Sequence, residues 1–130
     1  PFFDSVESEI AHIIFAIPAI KSIEFGSGIA AAKMRGSEHN DLIVDGKGTT
    51  ATNHAGGING GITNGNNIEF RVAVKPTASI AQPQETYNFS TKQVEPLTIV
   101  GRHDACIAVR VPVIVESAAA IALADLSLRR

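Results

Sequence analysis

Three short segments carry most of the residue types that can do chemistry. In Gly101-Arg102-His103-Asp104-Ala105-Cys106, a guanidinium, an imidazole and a carboxylate stand side by side after a predicted strand. On extended chain Arg102 and Asp104 face one side and His103 the other, so a cation can hold an anion while a carboxylate handles a proton. A surface ion pair, commonly worth about 0–1 kcal/mol and without function, is the plainer reading of the same residues. Cys106 reads most simply as a small buried apolar side chain. In Lys75-Pro76-Thr77-Ala78-Ser79, a cation at a strand end precedes a rigid residue and two hydroxyls, a donor set that suits a phosphate. An ordinary solvated exit loop is the commoner source of that composition. In Asn53-His54-Ala55-Gly56-Gly57-Ile58-Asn59-Gly60-Gly61, paired glycines let a ligand or a second backbone approach with amides as donors. A surface hairpin with Asn-Gly turns gives the same composition. His54 alone makes no metal site, and the spacing is neither a Walker loop nor a dinucleotide fingerprint.

These segments need elements to hold them. Asp4 and Glu7 have capping-box spacing, and Val6, Ile10, Ile13, Ile14 and Ile17 then recur at helical intervals up to Pro18. The pattern predicts a helix from about Asp4 to Ile17. Ile20 to Phe25 reads as a short strand closed by Gly26-Ser27-Gly28, and the alanines of Ile29 to Met34 predict a second short helix. Between Asp45 and Asn67 seven glycines exclude regular helix and suit turns. From Ile68, alternation of Phe70, Val72 and Val74 with Glu69, Arg71 and Lys75 predicts a half-buried strand stopped by Pro76. Thr86–Phe89 and Gln93–Val100 read as a hairpin around Ser90-Thr91-Lys92, with Pro96 placing the second strand at an edge or bulge. The last predicted helix, Val113 to Leu128, is apolar around most of its circumference. One small domain can hardly cover it, so further chain or another subunit is expected there, and self-association with it. The fold class expected is α+β, a layered sandwich of helices and mainly antiparallel strands, in one domain over 1–130.

Composition bounds the function. A chain of 130 residues, 45% hydrophobic, can bury one core. A net charge of −2 with scattered Lys and Arg excludes a nucleic-acid or anionic-membrane face built on charge. The lone Cys106 excludes an intrachain disulfide or a cysteine zinc site and fits a reducing compartment, hence a cytoplasmic location. The longest apolar run, Ala118 to Ala124, falls short of the roughly 20 residues of a membrane span, so a soluble protein with no membrane partner is expected. The opening Pro1-Phe2-Phe3-Asp4 lacks a leader pattern and is expected to be a cut inside a longer protein.

Taken in order, Arg35-Gly36-Ser37-Glu38-His39-Asn40-Asp41, Asn53-His54-Ala55-Gly56-Gly57-Ile58, Gly60-Gly61-Ile62, Lys75-Pro76-Thr77 and Gly101-Arg102-His103-Asp104 strongly resemble the C-terminal signature blocks of chorismate synthase. The opening residues and the Glu116 to Asp125 helix also match, so the resemblance covers nearly the whole chain. It implies a C-terminal fragment of a lyase that converts 5-enolpyruvylshikimate 3-phosphate to chorismate by 1,4-anti elimination of phosphate and a ring proton. The resemblance also implies a requirement for reduced FMN, although no net redox change occurs, and a homotetramer for the full-length protein.

Residue by residue, the resemblance gives Asp104 the flavin N5 proton and Arg102 a contact with flavin or substrate anions, both counted as catalytic. It places Ala19, Gly60, Lys75, Pro76, Thr77, Ala78, Ser79 and Arg102 around FMN, and no metal. A carboxylate buried beside the flavin would be tuned by neighbours such as Arg102. Pro18, Ala78 and Ala105 depart from the commoner asparagine, serine and proline, which alters local geometry without removing a charge. The family's catalytic histidines and most of its substrate-binding arginines lie in the N-terminal part, without counterparts here. This part alone is therefore expected to be inactive. The alternative is a non-catalytic flavin- or phosphate-binding or assembly module on the same scaffold.

Overall fold

The computed structural model describes residues 1–129. The first helix, α1 (Val6–Phe15), is capped by Ser5, whose hydroxyl accepts from the Ser8 amide at 3.1 Å. The expected Asp4–Glu7 box does not form; Ser5, one residue nearer the apolar stripe, takes the cap. The helix also stops short of Ile17. The Ala16 and Ile17 amides return to the Ile13 and Ile14 carbonyls, tightening the last turn before Pro18. Ala19 then reverses the chain in a left-handed conformation, φ 74°.

Strand β1 (Ile20–Phe25) has the predicted bounds, and Ser27 leads into a 3-10 turn, Gly28–Lys33. That turn replaces the expected α-helix: the Ala30 and Met34 amides bond three residues back, to Ser27 and Ala31. A single helical turn, α2 (Gly36–His39), opens with Glu38 accepting from the Arg35 amide at 2.7 Å. In the glycine-rich stretch, β2 (Ile58–Asn59) and β3 (Ile62–Thr63) form a minimal hairpin around Gly60-Gly61. β4 (Phe70–Val74) pairs antiparallel with β1, Phe25 opposite Phe70 and Ile20 opposite Val74, with an irregularity between Ile20 and Ser22. β5 (Gln84–Asn88) and β6 (Gln93–Leu97) make a separate hairpin, shifted slightly from the predicted bounds. Pro96 sits opposite Glu85, tolerated because a two-stranded ribbon has a free edge on either side. A 3-10 turn, Ala108–Arg110, leads into α3 (Val111–Leu128), two residues longer than expected at its start, with Pro112 in the first turn where a missing N–H costs nothing.

The core lies where α1, α3 and the β1–β4 pair meet. Ile10 and Ile14 are fully buried, and Ile20, Val111, Val115, Ala118, Ala119 and Ala122 join them. The small residues of α3 let α1 approach closely. The fold is α+β with antiparallel strands, as expected, but the strands form three separate pairs rather than one sheet. An apolar groove of about 600 Å³ runs between Phe70, Val72 and Val74 of β4 and Val115, Ala119 and Leu123 of α3.

The segment Ala108–Leu128 is long and apolar enough, by length and composition, to cross a membrane. Val111 to Val115 extend the apolar stretch beyond Ala118 to Ala124, with Glu116 and Ser117 between the two parts and Arg110 and Asp125 flanking them. The same helix buries five of its residues in the core.

Candidate active-site elements

The segment Asn53–Gly61 is held by side chains distant in sequence. Asp41 accepts from the His54 amide at 2.7 Å, the Ala55 amide at 2.9 Å and the Thr52 hydroxyl at 2.7 Å. Partial burial raises the proton affinity of this carboxyl. The Ala55 amide, the Thr52 hydroxyl, the His54 amide and the nearby His54 charge outweigh that, so its pKa lies below the ordinary value. The Asn53 side chain accepts from the Gly57 amide at 2.8 Å and donates to the Asn67 carbonyl at 2.9 Å. His54 Nδ1 lies 2.7 Å from Ser27 Oγ, and its ring stands against His39, centroids 5.6 Å apart.

Glycine is obligatory at Gly57, φ 79°, where a Cβ would fall 2.3 Å from the Asn67 carbonyl oxygen. The neighbouring turn differs. A Cβ on Gly60 would meet nothing within 4 Å, so that face of the β2–β3 turn is open to an approaching group. Gly61 ties the turn to the start of α1, its carbonyl accepting from the Val6 amide at 3.0 Å.

At the opposite end of α1, Lys75 leaves β4 beside Ala19, whose carbonyl accepts from the Lys75 amide at 2.8 Å. Two residues on, Thr77 Oγ1 reaches the Asp104 carbonyl at 3.4 Å. Ala19 and Lys75 are thereby linked, as are Thr77 and Asp104, while Pro76, Ala78, Ser79 and Arg102 are exposed. Among the described residues neither Lys75 nor Arg102 forms an ion pair. Two cations and two hydroxyls with few internal partners are a donor set that fits the phosphate of a nucleotide cofactor. Gly60 is not brought to this group: α1, ten residues at about 1.5 Å each, lies between them.

The Arg102-Asp104 arrangement differs from that expected. Residues 98–107 form no strand, so the alternation that would have put the two side chains on one face does not apply. The chain instead folds back, His103 Nε2 lying 3.1 Å from the Ile99 carbonyl. Asp104, with half its side-chain surface exposed, pairs with Arg110: Nη1 to Oδ2 at 3.3 Å and Nη2 to Oδ1 at 3.2 Å. It is not the buried carboxylate expected, and Arg102 is not its partner. Cys106, read as buried, is exposed.

Sequence reasoning missed two residues here. Arg110 sits six positions beyond Asp104, outside any short-motif window, and only the 3-10 turn brings it back. Asp41 lies at the end of a block noted for its resemblance, but nothing in its spacing signals a bond to residues eleven to fourteen positions ahead.

The family model for chorismate synthase matches residues 1–128. Chorismate synthase of Chitinophaga pinensis is 64% identical over 128 residues, which cover 98% of this chain and 39% of that protein. That of Korarchaeum cryptofilum is 51% identical over 127 residues, covering 96% and 35%. A crystal structure of chorismate synthase aligns with a TM-score of 0.54 and 40% sequence identity, covering 58% of this chain and 23% of the other. The chain spans well under half the length of the curated relatives it matches. A family model matching nearly end to end, together with relatives at this identity, shows that the chain belongs to the chorismate synthase family.

Proposed function

We propose that this chain contributes the flavin-facing wall of a lyase active site, in an enzyme converting 5-enolpyruvylshikimate 3-phosphate to chorismate and phosphate at the end of the shikimate pathway. The observation that carries the reading is the Thr77–Asp104 contact, which joins the Lys75–Ser79 loop to the Gly101–Asp104 block. Two segments that family resemblance assigns to one cofactor are thus neighbours in space.

In this reading Lys75 and Arg102 supply positive charge to the anionic groups of cofactor and substrate. Thr77 and Ser79 add short hydroxyl donors, Pro76 fixes the loop, and Ala19 and Ala78 let a flat ring approach. Reduced FMN held by these residues would supply transient electron density to the substrate, while phosphate departs as an anion with the C–O bonding pair. Asp104 would hold and pass on a proton beside that cofactor, and loss of phosphate as an anion together with a ring proton leaves no net redox change. Gly60 offers an open backbone face to the same cofactor only if a neighbouring subunit or a further part of the protein bridges the length of α1. A homotetramer would provide such a neighbour.

The groups of this chain do not include the histidines and arginines that the family uses on the substrate, so the chain by itself is inactive. The exposed single thiol of Cys106 suits a cytoplasmic location. The small negative charge favours small-molecule chemistry over nucleic acid or an anionic membrane.

The test is Asp104→Ala in the full-length enzyme. Turnover should fall by roughly 10²–10⁴-fold, the usual contribution of a positioned acid–base group, with flavin still bound. Unchanged chorismate formation would remove Asp104 from this role.

A further inference from the structure

We propose that Arg110 is a positioning residue for Asp104, fixing the orientation of the carboxylate that handles the flavin N5 proton. The inference rests on the role given to Asp104 above. Asp104 lies in residues 98–107, a segment without strand or helix, so no backbone ladder sets where its side chain points. Its two anchors come from outside that segment. Thr77 Oγ1 contacts its backbone carbonyl, and Arg110 engages both carboxylate oxygens, at 3.2 and 3.3 Å.

Arg110 is suited to the task by where it stands. It closes the 3-10 turn Ala108–Arg110, its amide donating to the Ile107 carbonyl at 3.1 Å, and the next residue, Val111, is buried in the core. The guanidinium therefore projects from the base of α3, the longest element of the fold, across to a loop with few contacts of its own. A two-point contact fixes the plane of a carboxylate, which a lysine ammonium cannot do. Each carboxylate oxygen keeps a second lone pair, so Asp104 held in this way can still accept a proton. The pair is exposed, Arg110 by 71% and Asp104 by 50% of their side-chain surface. Exposed pairs contribute little to stability, so cutting this one should leave the fold intact.

The experiment compares Arg110→Ala, Arg110→Lys, Asp104→Ala and the double variant in the full-length enzyme loaded with reduced FMN. It measures kcat, KM for 5-enolpyruvylshikimate 3-phosphate, and flavin occupancy by absorbance. Arg110→Ala should lose about tenfold or more in kcat while KM and flavin occupancy stay within about twofold. Millimolar guanidinium should restore part of that loss, and Arg110→Lys should fall between parent and Arg110→Ala. The double variant should be no slower than Asp104→Ala, since a residue acting only through Asp104 has nothing left to act on. The proposal is overturned if Arg110→Ala keeps parental kcat while Asp104→Ala is inactive, if the loss lies in KM or flavin occupancy, or if the two losses multiply. Parental turnover in Asp104→Ala is a separate result: it overturns the underlying assignment, and this inference with it.

Discussion

The two halves of the candidate site are built on opposite plans. From Asp41 to Asn67 the glycine-rich segment is tied down by its own chain: Asp41 clamps residues 52, 54 and 55, Asn53 clamps Gly57 and Asn67, and Gly26, Gly56 and Gly57 pass too close to neighbouring backbone to carry a side chain. From Lys75 to Cys106 the chain carries Lys75, Arg102 and Asp104 on loops with few bonds to the rest of the fold. Its β5–β6 hairpin packs on itself and leaves Phe89 and Val94 in the open. A segment rich in glycine is thus the rigid half, and one with ordinary composition is the adaptable half. Rigidity here follows from who accepts each amide, not from the conformational freedom of the residue type.

The comparison breaks first at Gly57. Gly57→Ala forces a Cβ against the Asn67 carbonyl at a left-handed φ and should cost about 3 kcal/mol or more, read from urea unfolding. Gly60→Ala, also left-handed but with open space around it, should cost only about 1 kcal/mol. Equal losses would show that the glycine-rich segment is not uniquely constrained at Gly57. Next in size is the clamp itself. Asp41→Ala removes a charged acceptor from two amides and a hydroxyl and should destabilise by about 2 kcal/mol. By thermal unfolding, a change below about 0.5 kcal/mol would mean that water replaces the carboxylate without loss.

How much of this was legible depends on range. The bounds of β1 followed from the short run closed by Gly26-Ser27-Gly28, and the β4 face of Phe70, Val72 and Val74 followed from alternation, because burial at one face writes itself into every second residue; α3, apolar nearly all round, began two residues before its expected start. The cap of α1 went to Ser5 and not Asp4, a one-residue choice between two good caps that local sequence leaves balanced. The pairing of Asp104 with Arg110 was not legible, since the expectation of extended chain at 101–104 fails where His103 folds back on Ile99. Neither was the Asp41 clamp, whose partners are fixed by tertiary closure of the glycine loop. Of the segments that the resemblance assigns to one cofactor, the Lys75–Ser79 loop and the Gly101–Asp104 block are neighbours while Gly60 lies apart, and which side chains touch came only from the fold.

The smallest expected effect separates the two plans most finely, because Asp41 and Glu95 are both carboxyls with a depressed pKa. Asp41 is depressed by donors from a segment distant in sequence. Glu95 is depressed by the Thr91 hydroxyl and then the Asn88 side-chain amide, both within its own hairpin. A carboxyl lowered in the folded state stabilises fully above its unfolded pKa, about 4, and loses that contribution as pH falls through the folded value. Protonating Asp41 therefore unties the glycine loop from its clamp, and acid should lower the melting temperature of the parent more than that of Asp41→Ala. Protonating Glu95 releases two contacts, from Thr91 and Asn88, that both lie within the β5–β6 hairpin. Glu95→Gln should reduce the acid dependence of the melting temperature much less than Asp41→Ala does, while the Asn88 side-chain amide resonance loses its pH-dependent shift in two-dimensional NMR. A Glu95→Gln variant that shared the acid behaviour of Asp41→Ala would show the hairpin to be coupled to the core, and the division into a rigid and an adaptable half would fall.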